Sequence, residues 1–369
     1  MKPIKIFTLV IVVIGLAALA IFRPWSPDVP APPESGTPVA PSPPAKQLNI
    51  FIWSEYIDPD VIVDFEKTHN VKVRLDLYET NEEMIHMLQT GRPGAYDIIV
   101  PTTYFIPTLV NLKLIQPLNK NLIPNMVNID PMFLVIEEDP GNQYVIPYQW
   151  GTSGLVIRSK DPASVKASWD QVFDFSPSQG TFILFDTARD VLGSALKYLG
   201  YSSNTINQAE LEKAGQLITE AKNQPNFMGF SGGVDGLSKV VGEVATVSQV
   251  YNGEAVKAAM EDPELVYVAP EEGCEIWLDL FAIPTGADNV AVAHEFLNYV
   301  LEPEVAAKLS DYSKYASPNI KARDLIPQSD RDNPAIYPPQ ELIDKMEYYK
   351  DLGPNSQLYE EMWTIVKSK

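Results

Sequence analysis

From Leu48 onward, short apolar strands and amphipathic helices take turns, and this alternation restricts the chain to a layered α/β architecture. "LNIFIW" has the unbroken apolar character of a buried strand, and "PDVIVDFEKTH" carries apolar residues at helical spacing. "VKVRLDLY" alternates as a half-buried strand does. "TNEEMIHMLQTG" opens with Thr80 three residues before Glu83, the spacing of a capping box, and stops at Gly91. "YDIIVPT" is a further short apolar strand, and the β-α-β-α-β order predicts a parallel sheet with helices on both faces. A second region begins near Gly151. There "TFILFDTARDVLGSALKYLG" predicts a strand running into a helix, "NQAELEKAGQLITEAK" a helix and "ELVYVAP" a strand. "VAVAHEFLNYVL", "PEVAAKLSDYS", "ELIDKMEYYK" and "QLYEEMWTIVK" read as helices. "SGGVDG", residues 231–236, reads as a flexible turn without the strand-to-helix context of a phosphate loop.

Ahead of this core stand two segments of different character. Lys2 and Lys5 precede an uncharged apolar run from Ile6 to Phe22, closed by Arg23. The run falls inside the roughly 17 to 25 residues of a membrane helix, and its basic flank places the remainder outside the cytoplasm. We read residues 1–23 as an uncleaved membrane anchor. A signal peptide ending at Ala18-Leu19-Ala20 is the alternative. Residues 24–46 are dense in proline with Ser, Gly and Ala, a composition that builds no core and extends up to roughly 70 Å as a stalk.

Composition narrows the function. A chain of 369 residues supports two lobes with substantial cores. The formal charge of −20 argues against nucleic acid, which requires clustered Lys and Arg, and is compatible with a cationic ligand. One cysteine, Cys274, excludes an intrachain disulfide and a cysteine-based zinc cluster, and is expected to be an inert, half-buried thiol. The three histidines, His69, His86 and His294, lie in or at the ends of helices with no metal-ligand spacing, and no GxSxG elbow is present. No cofactor or metal is called for. Carboxylates are plentiful enough for a glycosidase, yet nothing singles out an acid and nucleophile pair, which makes catalysis the weaker class.

"EIWLDLFAIP", residues 275–284, reads as a buried strand interrupted by Asp279. Ile276, Leu278 and Leu280 point one way, and Trp277, Asp279 and Phe281 the other. At about 3.3 Å per residue the indole and carboxylate lie roughly 7 Å apart on one face. That pair suits an organic cation, and a strand end reaching water is the plainer reading. Further aromatic residues collect where strands give way to loops: Trp53 and Tyr56 in "IWSEYID", Tyr104 in "VPTTYF" and Trp150 in "IPYQWGTSG".

Taken in order, "LNIFIWSEYI", "AYDIIVPTTYF", "IPYQWGTSGLVI", "FDTARDVLGSALKYLGYS", "YNGEAV", "EIWLDLFAIP" and "YASPNIKAR" resemble the bacterial periplasmic polyamine-binding proteins, the spermidine- and putrescine-binding components of ABC importers. The resemblance runs from about Leu48 to "LYEEMW". It implies an α/β, two-lobed periplasmic-binding-protein fold of type II, with ligand in the interlobe cleft, inside a solute-binding domain of residues 47–369. One lobe would hold about 47–151 and 279–323, the other about 152–278 and 324–369. "WLDL" would then cross at the hinge, with Asp279 meeting an ammonium group and Trp277 covering the methylene chain beside it. Trp53 and Tyr56 match first-loop aromatics, Thr102 and Tyr104 a ligand-contacting pair, and Tyr315 a cleft tyrosine. The segment "FDTARD" departs from the family. Thr187 falls where a ligand-binding acid is expected, Asp190 replaces a glutamate, and Asp186 stands one residue early and faces elsewhere. Tyr251 stands where tryptophan is usual, and Tyr349 aligns with a glutamine.

The expected function is therefore extracytoplasmic binding of a polyamine, by cleft closure without chemistry, by a periplasmic monomer tethered to the inner membrane. The partner is an ABC permease, or alternatively a membrane receptor that senses the loaded state. A saccharide or peptide binder of the same fold is a third reading, and a hydrolase a fourth.

Overall fold

The computed structural model describes residues 46–176 and 180–369, which form one compact unit. The predicted anchor and all but the last residue of the predicted stalk lie outside the described residues; Lys46 already opens the first strand. Among the described residues no helix is long and apolar enough to cross a membrane.

The chain starts with β1 (Lys46–Trp53), α1 (Pro59–His69), β2 (Val71–Tyr78), α2 (Asn81–Thr90), the two-residue β3 (Ile98–Ile99) and α3 (Ile106–Asn111). Local signals set these bounds. Asp58 caps α1 by accepting the Asp60 N–H at 2.8 Å, Pro59 preorganises its first turn, and Asn70 ends it in the left-handed region. Thr80 accepts the Glu83 N–H at 3.1 Å, and the Glu83 carboxylate reaches back to the Glu79 N–H at 3.0 Å.

Next comes β4 (Val145–Arg158), a 14-residue strand buried along almost its whole length, and then α4 (Asp170–Phe173), β5 (Phe182–Phe185), α5 (Ala188–Tyr198), α6 (Gln208–Lys222), β6 (Phe227–Ser231), α7 (Gly233–Val241), β7 (Val247–Tyr251), α8 (Asn252–Glu261) and β8 (Leu265–Val268). The chain returns through β9 (Glu275–Ala282) and continues with α9 (Val290–Val300), α10 (Pro303–Ser313), α11 (Gln328–Arg331), α12 (Gln340–Ile343), β10 (Glu347–Tyr348) and α13 (Ser356–Ser368).

The strands run β2-β1-β3-β9-β4-β7-β5-β6, with β10 beside β9 and β8 beside β4. The parallel pairing expected of the β-α-β-α-β run is present, within each of two sets. β1 is parallel to β2 and β3, and β5 to β6 and β7, as helical crossovers require. Between these two sets β9 runs antiparallel to β3 and β4, and β4 antiparallel to β7. Gly151, where the sequence placed the boundary between two regions, is mid-strand in β4. The segment "QWGTSG" hid this because both of its faces are buried, so no period shows. Gly151 is required there: a Cβ would stand 2.4 Å from the Trp277 ring and 2.3 Å from Asn252 Oδ1.

Two further expectations are corrected. "ELIDKMEYYK" is not one helix: α12 lasts four residues, after which Glu347 and Tyr348 pair with β9. Lys197 holds Glu347 at 2.8 Å and anchors that added strand. "SGGVDG" does sit between a strand and a helix, ending β6 and opening α7. Its glycines obscured the start of α7, since glycine weighs against helix in any propensity reading. The core packs under both parallel sets through fully buried Leu280, Phe281, Phe182 and Trp169. Each such side chain contributes on the order of 1.5–3 kcal/mol.

Candidate functional site

β9 carries Trp277 and Asp279 on one face, as strand alternation dictates. Asp279 is 7 % exposed, and its Oδ1 accepts a 2.7 Å hydrogen bond from Thr102 Oγ1. Thr102 is oriented in turn by Asn81, whose side-chain amide donates to Thr102 Oγ1 and accepts from the Thr102 N–H, both at 3.2 Å. Burial pushes the Asp279 carboxyl up to about 7, with the Thr102 and Tyr56 hydroxyls pulling it part of the way back. Trp277 meets Tyr315 edge-on at 4.7 Å, with Tyr251 at 6.2 Å and Tyr56 at 6.4 Å. The Trp277 Nε1 and Ser153 Oγ atoms are buried and have no hydrogen-bond partner among the described residues.

A second carboxylate stands at the start of α5. Asp190, in the first helical turn, accepts from the Thr187 hydroxyl and, at 3.4 Å, from Tyr349 Oη, which also donates to the Arg189 carbonyl at 3.0 Å. Burial raises the Asp190 carboxyl, opposed by Thr187, Arg189 and Tyr349. The Arg189 guanidinium lies over Tyr349 at 4.6 Å, Tyr359 at 4.8 Å and Tyr104 at 5.7 Å. Tyr104 comes from the turn after β3 and Arg189 from α5, so the stack joins the two parallel sets.

A third acid was not selected from the sequence. Glu254, in the first turn of α8, accepts a hydrogen bond from Tyr315 Oη, and burial raises its carboxyl. The only sequence signal is its place three residues after Tyr251, one helical turn along the same face.

These groups line one cavity of about 560 Å³. Trp53, Tyr56, Thr102, Tyr104, Asp190, Tyr251, Trp277, Asp279 and Tyr315 all face it, together with Thr187 and Tyr349. Sequence reasoning missed Ser54, Glu79, Asn81, Ser153, Phe185, Glu254 and the β6–α7 junction, with Asp235 in the first turn of α7. Asp186, expected to face elsewhere, also lines the cavity, with its carboxylate paired to Lys367, and Asp235 pairs with Lys239 at 2.7 Å. Six carboxylates line the cavity, and among the described residues no lysine, arginine or histidine does. Asp190, Glu254 and Asp279 have no ion-pair partner among the described residues.

Other candidates go elsewhere. Trp150 packs between Phe133 at 5.6 Å and Tyr337 at 6.1 Å, away from the cavity. His294 accepts the Asn119 N–H at 2.9 Å, and His69 stacks on Phe65. Cys274 is fully rather than half buried, and burial pushes its thiol up. Among the described residues no cluster of His, Cys, Asp and Glu is arranged to hold a metal ion.

Comparison with known proteins adds four findings. The model of the family described as bacterial extracellular solute-binding protein matches residues 60–336. The spermidine/putrescine-binding periplasmic protein of Salmonella typhimurium is 34% identical over 323 residues, covering 87% of this chain and 91% of that one. The putrescine-binding periplasmic protein SpuD of Pseudomonas aeruginosa is 32% identical, covering 88% and 92%. Among solved structures, the spermidine/putrescine ABC transporter substrate-binding protein PotD from Streptococcus pneumoniae superposes with a TM-score of 0.77 at 29% identity, over 88% of this chain and 99% of that one.

Proposed function

The chain belongs to the bacterial extracellular solute-binding proteins, and from that membership we propose that it captures a polyamine outside the cytoplasm for delivery to an ABC importer. One observation carries the reading: a cavity walled by aromatic rings presents six carboxylates and, among the described residues, no cationic side chain. A polyamine is an alkyl chain with ammonium groups at fixed separations, so it requires apolar walls for its methylenes and acceptors for its ends. Asp279 takes one ammonium group, with Thr102 fixing the carboxylate's orientation. Trp277, Trp53, Tyr56, Tyr251 and Tyr315 flank the chain, each cation–π contact contributing about 0.5–2 kcal/mol. Asp190, beside Tyr104, takes the opposite end. The names of the similar proteins from Salmonella and Pseudomonas support this class of ligand.

In this reading the protein binds by closure and does no chemistry. The lobes are residues 47–151 with 279–323, and 152–278 with 324–369. The course of β4 and β9 supports the division, because both strands run unbroken past the points where the ranges change. The apolar run at residues 6–22 supports tethering to the inner membrane, with the proline-rich segment as spacer.

The test is a fluorescence titration of the full chain, since Trp53 and Trp277 both line the cavity. Putrescine, cadaverine, spermidine, norspermidine and spermine are compared with neutral hexoses. At least one amine gives a saturable change and the hexoses none. Saturation by a hexose and by no amine overturns the proposal.

A further inference from the structure

Glu275 is fully buried, and neither of its carboxylate oxygens has a hydrogen-bond partner among the described residues. A buried orphan carboxyl is costly enough to require an explanation. Glu275 occupies the same face of β9 as Trp277 and Asp279, one step further from the Asp279 end. It sits behind the cavity wall where α5 passes over β9. A Cβ at Gly193 would stand 2.2 Å from Glu275 Oε1 and 3.0 Å from Tyr349 Oη, so only glycine lets these two atoms converge. Tyr349 Oη also reaches Asp190 Oδ1. One hydroxyl thus stands between a carboxyl inside the cavity and a carboxyl behind its wall.

Two carboxyls that approach one hydroxyl, with Glu275 fully buried, disfavour each other's ionised form unless a cation pairs with them. Two cations from α5 stand nearby, Arg189 and Lys197, and among the described residues neither forms an ion pair with Glu275 or Asp190. The titratable and charged groups facing the Glu275–Asp190 pair are Arg189 and Lys197 from α5, Glu82 from α2, Tyr104 after β3, Tyr251 at the end of β7, Tyr349 after β10, Tyr359 from α13, Tyr267 from β8 and Cys274. Lys197 is engaged by Glu347 at 2.8 Å, and Arg189 lies over the Tyr349 and Tyr359 rings and donates to Asn204 Oδ1 and the Lys350 carbonyl. Burial pushes the Glu275 carboxyl up to about 8, Asp190 adds to the rise, and Tyr349 and Lys197 oppose it.

We propose that Glu275 is a positioning residue for the Asp190 end of the cavity: the two carboxyls share one proton across the Tyr349 hydroxyl, and an arriving ammonium group displaces that proton to solvent. The proposal rests on the amine reading of the cavity. The shared proton lets Asp190 stay available while the cavity is empty, and its release makes capture at this end tighter as pH rises. A neutral residue at position 275 would leave the Asp190 contact in place but remove the proton linkage.

The experiment is calorimetric titration of the full chain with putrescine and with spermidine, at about pH 7, in buffers of different ionisation enthalpy, which counts protons released per amine bound. The unaltered protein releases on the order of one proton, the sum of partial release from the Glu275–Asp190 pair and from Asp279. Glu275→Gln still binds and releases roughly half as many. Tyr349→Phe, which cuts the link between the carboxyls while leaving Glu275 in place, also lowers the count, and it decides the question if Glu275→Gln does not fold. A Gln variant, or failing that the Phe variant, that releases as many protons as the unaltered protein overturns the inference and leaves the amine reading standing. If neither amine binds the unaltered protein, the amine reading and this inference fall together.

Discussion

Asp279 exchanges nearly all contact with water for a bond from Thr102, and this leaves its charge conditional. Empty, the carboxyl is half-protonated near pH 7; paired with an ammonium group, it is ionised. Amine affinity is therefore expected to rise about tenfold between about pH 6 and pH 8, a titration that calorimetry at several pH values measures directly. Glu254→Gln is expected to weaken amine binding by about 1–3 kcal/mol, the range for removing a charged hydrogen-bond partner, while thermal stability changes little. Both residues show how far a sequence can be read at this scale. Asp279 was visible because a charge inside an apolar strand is an anomaly. Glu254 was not, because an acid in the first turn of a helix is ordinary, and only the approach of Tyr315 from a distant segment places it at the cavity. Glu275 was hidden more deeply still: its register on β9 was legible, but its burial under α5 depends on Gly193.

Elements with strong local signals, such as α1 and α2, follow directly from caps and periodicity. Asp58→Ala is expected to cost about 1 kcal/mol by removing the cap on α1, read from denaturant midpoints. The long crossing strand β4 follows no such signal, because a strand buried on both faces shows neither period, and β10 forms only because β9 offers an edge. Gly151→Ala probes this part of the fold. The added methyl has to displace the Trp277 ring or Asn252, which is expected to cost about 1–3 kcal/mol of stability. Because Trp277 forms the wall beside Asp279, the same substitution is expected to weaken amine binding, whereas Asp58→Ala leaves it unchanged.

For the whole molecule, the cavity's acids set how stability depends on pH. Asp279 and Glu275 have folded values of about 7 and about 8, above ordinary values of 3.8 and 4.5. Between those limits the folded protein holds protons that the unfolded chain has lost, so stability falls as pH rises. Scanning calorimetry of the ligand-free protein is expected to show Tm declining from about pH 5.5 to about pH 8.5, with Glu275→Gln flattening the decline. A saturating amine reverses the trend by supplying the missing cation. The general architecture was legible from strand and helix alternation, and the nine residues chosen from the sequence do converge on one cavity. The antiparallel pairing of β4 and β9 at the centre was not, since it depends on contacts between segments more than a hundred residues apart. The measurement that reaches the central claim most directly is calorimetric titration of the full chain and of Asp279→Asn with the polyamine panel. The account predicts one saturable site for at least one amine, weakened by about 2–5 kcal/mol in the variant. Equal affinity in the two proteins, or no binding of any amine by the unaltered chain, would contradict it.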